Sequence, residues 1–308
     1  MYDQINQTSQ TSQKKSAFVA LVGRPSVGKS TLVNFLCGAK VAIVSAVPQT
    51  TRNAIRGIVN REQGQLVLVD TPGRHDSEKK LNKKLRELSD RALDEADIVL
   101  YLLDATRAPG HEEDGIAARL APLQNRLAVA VNKMDGKNAA YDGVREFLKR
   151  RLPDLTDERC FKISALNGEG TGSLLDGLYK MAPEGPALYG EDYYTDQDVP
   201  FRIAEIIREK AINRLREELP HSLYVDVADT EFRDEGKKLW VRAFIVTERE
   251  SQKGMVVGKD GAMIKAIRQA AQKDMKKIFD WKIELDLRVK SSGDWRHNDA
   301  LLKRLTGR

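Results

Sequence analysis

The octapeptide Gly23-Arg24-Pro25-Ser26-Val27-Gly28-Lys29-Ser30 is the stretch that most narrows what this chain can become. A short apolar run, Phe18 to Val22, leads into it, and a helical pattern through Leu32, Val33, Phe35 and Leu36 leaves it. Strand, glycine-bounded loop and helix are the context in which Gly-x-x-x-x-Gly-Lys-Ser cradles phosphate. Gly23 and Gly28 let successive backbone N–H groups converge on an anion, and the following helix adds its positive N-terminal end. Lys29 supplies a point charge for β and γ phosphates, and the Ser30 hydroxyl is a natural magnesium ligand beside them, with Thr31 next in line. The chain is therefore expected to bind a nucleoside triphosphate with Mg2+ through residues 23–31.

Between residues 55 and 181, strand-like runs alternate with helix-like ones. Ile55 to Asn60, Gln65 to Val69, Ile98 to Leu103, Leu127 to Val131 and Arg159 to Ile163 read as short strands. Leu81 to Leu93, Glu113 to Leu120, Val144 to Leu152 and Ser173 to Met181 carry helical spacing. That alternation predicts an α/β unit with a mostly parallel sheet covered on both faces, whose ligands sit at the carboxyl ends of the strands.

The chemically informative residues fall at those ends. Asp70-Thr71-Pro72-Gly73 follows one strand: the carboxylate is suited to hold magnesium through water, and Gly73 to bring its N–H to a γ phosphate. Asn132-Lys133-Met134-Asp135 follows another. The Asp135 carboxylate accepts from the N1–H and 2-amino group of guanine, which adenine lacks, so GTP and GDP are expected over adenine nucleotides. Ser164-Ala165-Leu166 follows a third and supplies a backbone N–H for the guanine oxygen.

These four motifs, in this order, resemble the first, third, fourth and fifth boxes of translation-factor-like GTPases. The resemblance places the remaining box, the first switch, at Pro48-Gln49-Thr50-Thr51-Arg52. It makes Thr51 the hydroxyl that completes the magnesium shell with Ser30 and with Asp70 through water; Thr50 is the rival. Lys29, Thr51 and Gly73 become the catalytic set. Arg74 stands where many small GTPases place a water-orienting Gln, so unaided turnover is expected to be slow. Ser26 replaces the Asn that in related enzymes helps hold potassium, and His75 is assigned no catalytic role. Residues 70–84 form a charged second switch segment.

The excess positive charge is confined to the last third. Residues 199–308 contain 24 Lys and Arg against 18 Asp and Glu, and those before them carry equal numbers of each sign, giving +6 overall. A basic unit beside a neutral one suggests a polyanion partner. After a Pro- and Gly-containing linker, residues 183–199, a helical pattern (Ile203, Ile206, Ile207, Ala211, Leu215) is followed by strands Leu223 to Val227 and Leu239 to Val246. Gly258-Lys259-Asp260-Gly261 then leads a helix with apolar face Ile264, Ile267, Ala271, Met275 and Ile278, and a final strand spans Lys282 to Val289. This order resembles a KH domain of the prokaryotic kind, type II, a smaller α+β unit whose loop glycines let amides approach RNA phosphates while an apolar groove takes about four unpaired bases. The resemblance assigns RNA contact to Lys253, Val257, Gly258, Lys259, Asp260, Gly261, Ile264, Lys265 and Arg268. Trp295 is a further candidate for stacking on bases, whereas Trp240 and Trp281 sit in strand patterns and read as core.

A GTPase unit with the Gln-Thr-Thr-Arg switch, residues 17–182, joined to one KH unit, residues 200–308, resembles the Era-type family of bacterial GTPases. That resemblance implies a slow GTP-hydrolysing switch that binds 16S rRNA near its 3′ end, associates with the 30S subunit during its assembly, and allows peripheral contact with the inner membrane. The alternative is an RNA-binding protein regulated by guanine nucleotide with negligible turnover. Two distant cysteines, Cys37 and Cys160, suggest neither a disulfide framework nor a metal site and fit a reducing cytoplasm. Residues 1–16, rich in Gln, Ser and Thr, are expected to be a disordered tail without the order of a signal peptide. Nothing in the sequence demands more than a monomer.

Overall fold

The computed structural model describes residues 14–45, 47, 50–72, 80–293 and 295–305. Pro48, Gln49, Gly73, Arg74 and His75 lie outside the described residues, so the expectations for them are not addressed by it.

The N-terminal sheet has six strands in the order β2-β3-β1-β4-β5-β6. These are β1 Lys15–Val22, β2 Ile55–Arg61, β3 Gly64–Asp70, β4 Ile98–Asp104, β5 Leu127–Asn132 and β6 Cys160–Lys162. Only β2 runs antiparallel, against β3; the other pairs are parallel. Four helices lie between them, α1 Lys29–Cys37, α2 Lys80–Glu95, α3 His111–Leu120 and α4 Tyr141–Arg151, and α5 Thr171–Met181 follows β6.

Strand periodicity explains why helices cover both faces. Ile98, Leu100 and Leu102 of β4 enter one core with Val33 and Leu36 of α1 and Leu174 and Leu178 of α5. The alternating Val99, Tyr101 and Leu103 enter a second core with Ala117 of α3 and Val144 and Phe147 of α4. Each fully buried leucine or valine contributes roughly 1.5–3 kcal/mol. Because β3 and β4 flank β1 on opposite sides, the crevice at the carboxyl end of β1 is the topological switch point, and the loop of residues 23–28 occupies it.

The C-terminal sheet, order β7-β8-β9, comprises Tyr224–Arg233, Lys238–Thr247 and Lys282–Ser291, with β7/β8 antiparallel and β8/β9 parallel. Helix α6 (Val199–Ile212) precedes it, begun by the Asp198 side chain accepting from Phe201 N and by Pro200 in its first turn; the short α7 (Leu219–Ser222) leads into β7. Between β8 and β9 come α8 (Glu250–Val257) and α9 (Ala262–Ile278). Ile203 and Ile207 of α6 and Ile267, Ala271 and Met275 of α9 close over Leu239, Val241, Ala243 and Ile245. A last helix, α10 (Asp299–Leu305), follows a turn at Trp295. Among the described residues no helix is long and apolar enough to cross a membrane.

Several details differ from the sequence expectation. Lys15 and Ser16, the end of the expected tail, are already β1. Helix α8 escaped notice because Gly254 interrupts it, two valines end it and only Val256 is buried, leaving no apolar face to read. Trp295 is 1 % exposed, packed on Tyr224 with its Nε1 donating to Ser222 O at 3.1 Å, and so is closed to base stacking; Trp240 and Trp281 are half-buried. Residues 183–199 are not a free tether. Ile58 N donates to Tyr194 O, and the buried Gln65 amide binds Leu188 N, Tyr189 N and Tyr189 O, so the segment covers the exposed edge of the sheet.

Candidate functional site

The loop after β1 owes its shape to two crowded glycines. A Cβ at Gly23 would stand 2.7 Å from Leu102 O; one at Gly28, where φ is +105°, would stand 2.4 Å from Asn132 Nδ2. Lys29 opens α1 and is buried, its Nζ donating to Gly23 O at 2.8 Å and Arg24 O at 3.2 Å. Burial pushes the amine below its ordinary range, with Asp70 opposing. Arg24 turns its side chain away from the crevice to buried ion-pair distances of 3.5 Å from Asp104 and 3.3 Å from Glu113, so its contribution to the loop is its backbone. Pro25, Ser26 and Thr31 line a cleft of about 460 Å³ in front of the loop, whereas Val27 is buried behind it. A larger hollow of about 850 Å³ opens beside Asn53 and Arg56, but it holds no phosphate-binding loop; chemistry rather than size selects the site.

Three oxygens converge beside Lys29. Ser30 Oγ donates to Asp70 Oδ2 at 2.6 Å, lies 3.2 Å from Thr51 Oγ1, and Thr51 Oγ1 donates to Asp70 Oδ2 at 3.4 Å. Asp70 is fully buried and its Oδ1 has no hydrogen-bond partner. Burial raises this carboxyl above its ordinary pKa, while Lys29, Ser30 and Thr51 work in the other direction. Two hydroxyls and a carboxylate with an orphaned oxygen are a hard-donor set that suits a magnesium ion and its water. The Thr50 hydroxyl instead donates to Val47 O at 2.6 Å, so of the two threonines it is Thr51 that faces the cluster. Thr71 Oγ1 is spent on Leu21 O, and Pro72 O accepts from Ser89, which ties the strand end to α2.

One side chain bonds both the phosphate loop and the turn of residues 164–166. Asn132, at the end of β5, donates Nδ2 to Val27 O and accepts at Oδ1 from Ala165 N, both at 2.8 Å. Lys133, at φ +64°, lies along the cleft and reaches Asp104 Oδ2 at 2.7 Å. Asp135, two residues on, is exposed. In the following turn Ser164 N donates to Glu169 O and Ala165 N to Asn132. Among the described residues the Leu166 N–H is thus the one of these three left without a partner, and the Leu166 side chain is 76 % exposed beside it. The sequence reading missed Asp104. Burial acts to raise its pKa, but bonds from Lys133 and Thr106 leave it below the usual range, and it ties Arg24 to Lys133. Its signal was present: like Asp70, it directly follows a buried strand run.

In the C-terminal unit the second glycine loop forms a tight 3-10 turn, Lys259–Gly261, between α8 and α9. Gly258, Asp260 and Gly261 have φ of +74°, +50° and +75°; the Gly258 and Gly261 N–H groups are spent on Gly254 O and Gly258 O, so among the loop residues the Lys259 and Asp260 amides at the N-terminal end of α9 are the ones available to an anion. Lys259, Asp260, Lys265 and Arg268 are exposed; Val257 and Ile264 are half-buried at the base of the loop. Lys253 pairs with Glu250 at 2.7 Å, while Lys259, Lys265 and Arg268 have no ion pair among the described residues. Met255 on α8, 60 % exposed, is an apolar side chain near the loop that the sequence reading overlooked.

Comparison with known proteins matches residues 18–133 to the family described as 50S ribosome-binding GTPase and residues 218–296 to the KH domain family. The GTPase Era of Treponema denticola is 53 % identical over 291 residues, covering 94 % of this chain and 99 % of that protein. A crystal structure of Era with MgGDPNP and nucleotides 1506–1542 of 16S ribosomal RNA superposes with a TM-score of 0.89 at 34 % identity, covering 96 % of this chain and 99 % of that one. An Aquifex aeolicus Era variant bound to GDP.AlF4- gives the same TM-score and identity over 95 % and 99 %.

Proposed function

The chain belongs to the GTPase Era family, and from that premise we propose that it is a slow GTP-driven switch that holds the 3′ end of 16S rRNA during assembly of the 30S subunit. In this reading residues 17–182 bind and hydrolyse GTP, residues 200–308 bind RNA, and residues 183–199 join them. The observation that carries the nucleotide assignment is the meeting of Ser30, Thr51 and Asp70 beside Lys29, with one Asp70 oxygen unpaired.

The chemistry follows from the chain's own groups. The backbone N–H groups of residues 26–29 surround the β phosphate, and Lys29 exchanges the Gly23 and Arg24 carbonyls for β and γ oxygens. Asp135 accepts from the guanine N1–H and 2-amino group, and the Leu166 N–H donates to its oxygen. The Ser30 and Thr51 hydroxyls and the Asp70 carboxylate would hold magnesium, whose charge would offset that of the phosphates. Thr51 and the Gly73 amide sense the γ phosphate, and the exposed Gly258–Gly261 loop with Lys259, Lys265 and Arg268 grips single-stranded RNA. The proposed setting is the cytoplasm, on the 30S subunit as a monomer, with peripheral contact at the inner membrane.

Phosphate release by the full chain with Mg·GTP, with and without an oligonucleotide from the 3′ end of 16S rRNA, tests this. Slow release that the oligonucleotide alters is expected, with GTP strongly preferred over ATP. GTP binding without release above buffer under either condition would reduce the nucleotide to a regulatory ligand. Unchanged RNA release kinetics in Thr51→Ala that still binds GTP would refute the switch.

A further inference from the structure

Thr51 faces Ser30 and Asp70, yet its two neighbours are fastened to the other half of the molecule. The Thr50 carbonyl accepts from Arg208 Nη2 of α6 at 2.6 Å. Arg52 donates through Nη1 to Leu223 O at 2.7 Å and through Nη2 to His221 O at 3.1 Å, both at the entry to β7. Both arginines are buried, Arg208 held by Glu205 and Arg52 lying 5.7 Å from the Trp295 ring centroid. The peptide unit before Thr51 and the side chain of the residue after it are therefore held by the KH unit, 158 to 171 residues away in sequence.

We propose that Arg52 and Arg208 are positioning residues for Thr51, which seat its hydroxyl against Ser30 and Asp70 only while the KH unit is docked. The inference rests on the assignment of Thr51 to the magnesium shell. A threonine in an unrestrained loop must give up backbone freedom each time its hydroxyl is needed; anchoring the peptide before it and the side chain after it beforehand lowers that cost. The effect belongs to the triphosphate state, because GDP has no γ phosphate for Thr51 to sense. By linkage, the triphosphate tightens docking by the same factor that docking tightens the triphosphate.

The junction is built to let go. Three guanidiniums, Arg52, Arg208 and Arg296, crowd together with Glu205 and Glu248 as their carboxylates, and Arg208 Nη1 and Arg296 Nε are buried without a hydrogen-bond partner. Donors left unsatisfied in the docked arrangement regain water on separation, which lowers the cost of undocking.

The test is a double-mutant cycle in the full chain. Affinities for GDP and for GDPNP, both with Mg2+, are measured for the wild type, Arg208→Met, Thr51→Ala and the pair, with Arg52→Met as an independent second arm and Arg208→Lys where Arg208→Met fails to fold. Expected are about a tenfold loss for GDPNP in Arg208→Met or Arg52→Met, less than about twofold for GDP, and no further loss when Thr51 is already alanine. Equal losses for both nucleotides, or losses that add to that of Thr51→Ala, overturn the positioning role. A Thr51→Ala protein whose GDPNP-to-GDP affinity ratio equals that of the wild type overturns the Thr51 assignment itself, and this inference with it.

Discussion

Replacing Asn132 by alanine removes the side chain that bonds both the phosphate loop and the turn of residues 164–166. The change strands two buried groups, the Val27 carbonyl and the Ala165 N–H, each bonded to Asn132 at 2.8 Å. Val27 is fully buried and Ala165 is 3 % exposed, so neither group has ready access to water in place of the lost amide. An orphaned buried donor or acceptor costs about 1–3 kcal/mol. Two of them give about 2–6 kcal/mol, shared between the stability of the unit and its affinity for nucleotide. Arg24 and Lys133 remain joined through Asp104, which limits how far the two loops separate, so the lower half of that range should apply to binding. The expectation is a loss of about 3 kcal/mol, or roughly a hundredfold in GDP affinity at 1.4 kcal/mol per tenfold. Titration of fluorescent GDP in the presence of Mg2+ reads the affinity, and a thermal melt of the same protein reads the remainder. RNA affinity measured without nucleotide serves as the internal control, because Asn132 has no bond to the KH unit. A GDP affinity within threefold of wild type, in a protein that melts normally, would refute the view that this amide holds the two halves of the site in register.

Three other perturbations have expected outcomes. Asp135→Asn should weaken GTP by about 10²–10³-fold, since two hydrogen bonds to a charged acceptor are lost, and should favour xanthosine triphosphate, whose ring carries a carbonyl where guanine carries an amino group; retained guanine preference would remove Asp135 from the base pocket. Lys259→Ala and Lys265→Ala should each lower the slope of log RNA affinity against log salt by about 0.7, the single-strand value per phosphate contact, and an unchanged slope would mean that these exposed lysines do not meet phosphates. Asp274 on α9 joins Lys40 of the GTPase unit at 2.9 Å and also Lys210; burial opposes ionisation, but the two lysines hold its pKa at about 2. A depressed carboxylate stabilises the fold fully above its unfolded pKa near 4 and loses that contribution as pH falls from about 4 to 2. The melting temperature of Asp274→Asn should therefore lie below that of wild type at neutral pH, with the gap closing across that window; a gap independent of pH would refute the ion-pair account.

Much of the site was written locally in the chain. The loop of residues 23–30, the strand-end positions of Asp70 and Asn132, and the Gly258–Gly261 turn each depend on a few adjacent residues whose backbone geometry and position after an apolar run are set by near neighbours. Strand alternation was equally legible, because facing two cores forces successive β4 residues to opposite sides. What the sequence left open depends on contacts made across space. Thr50 and Thr51 are the same residue in adjacent positions, and only the folded loop turns one hydroxyl to Val47 and the other to Asp70. Trp295 looked free to stack on bases until Tyr224 and Ser222, about seventy residues away, enclosed it. Residues 183–199 have the composition of a tether, but an unpaired sheet edge captures them. The grip of Arg208 and Arg52 on either side of Thr51 leaves no trace in any local pattern, since a buried guanidinium is recognisable only by the carbonyls that surround it, and the fold brings those from more than a hundred residues away.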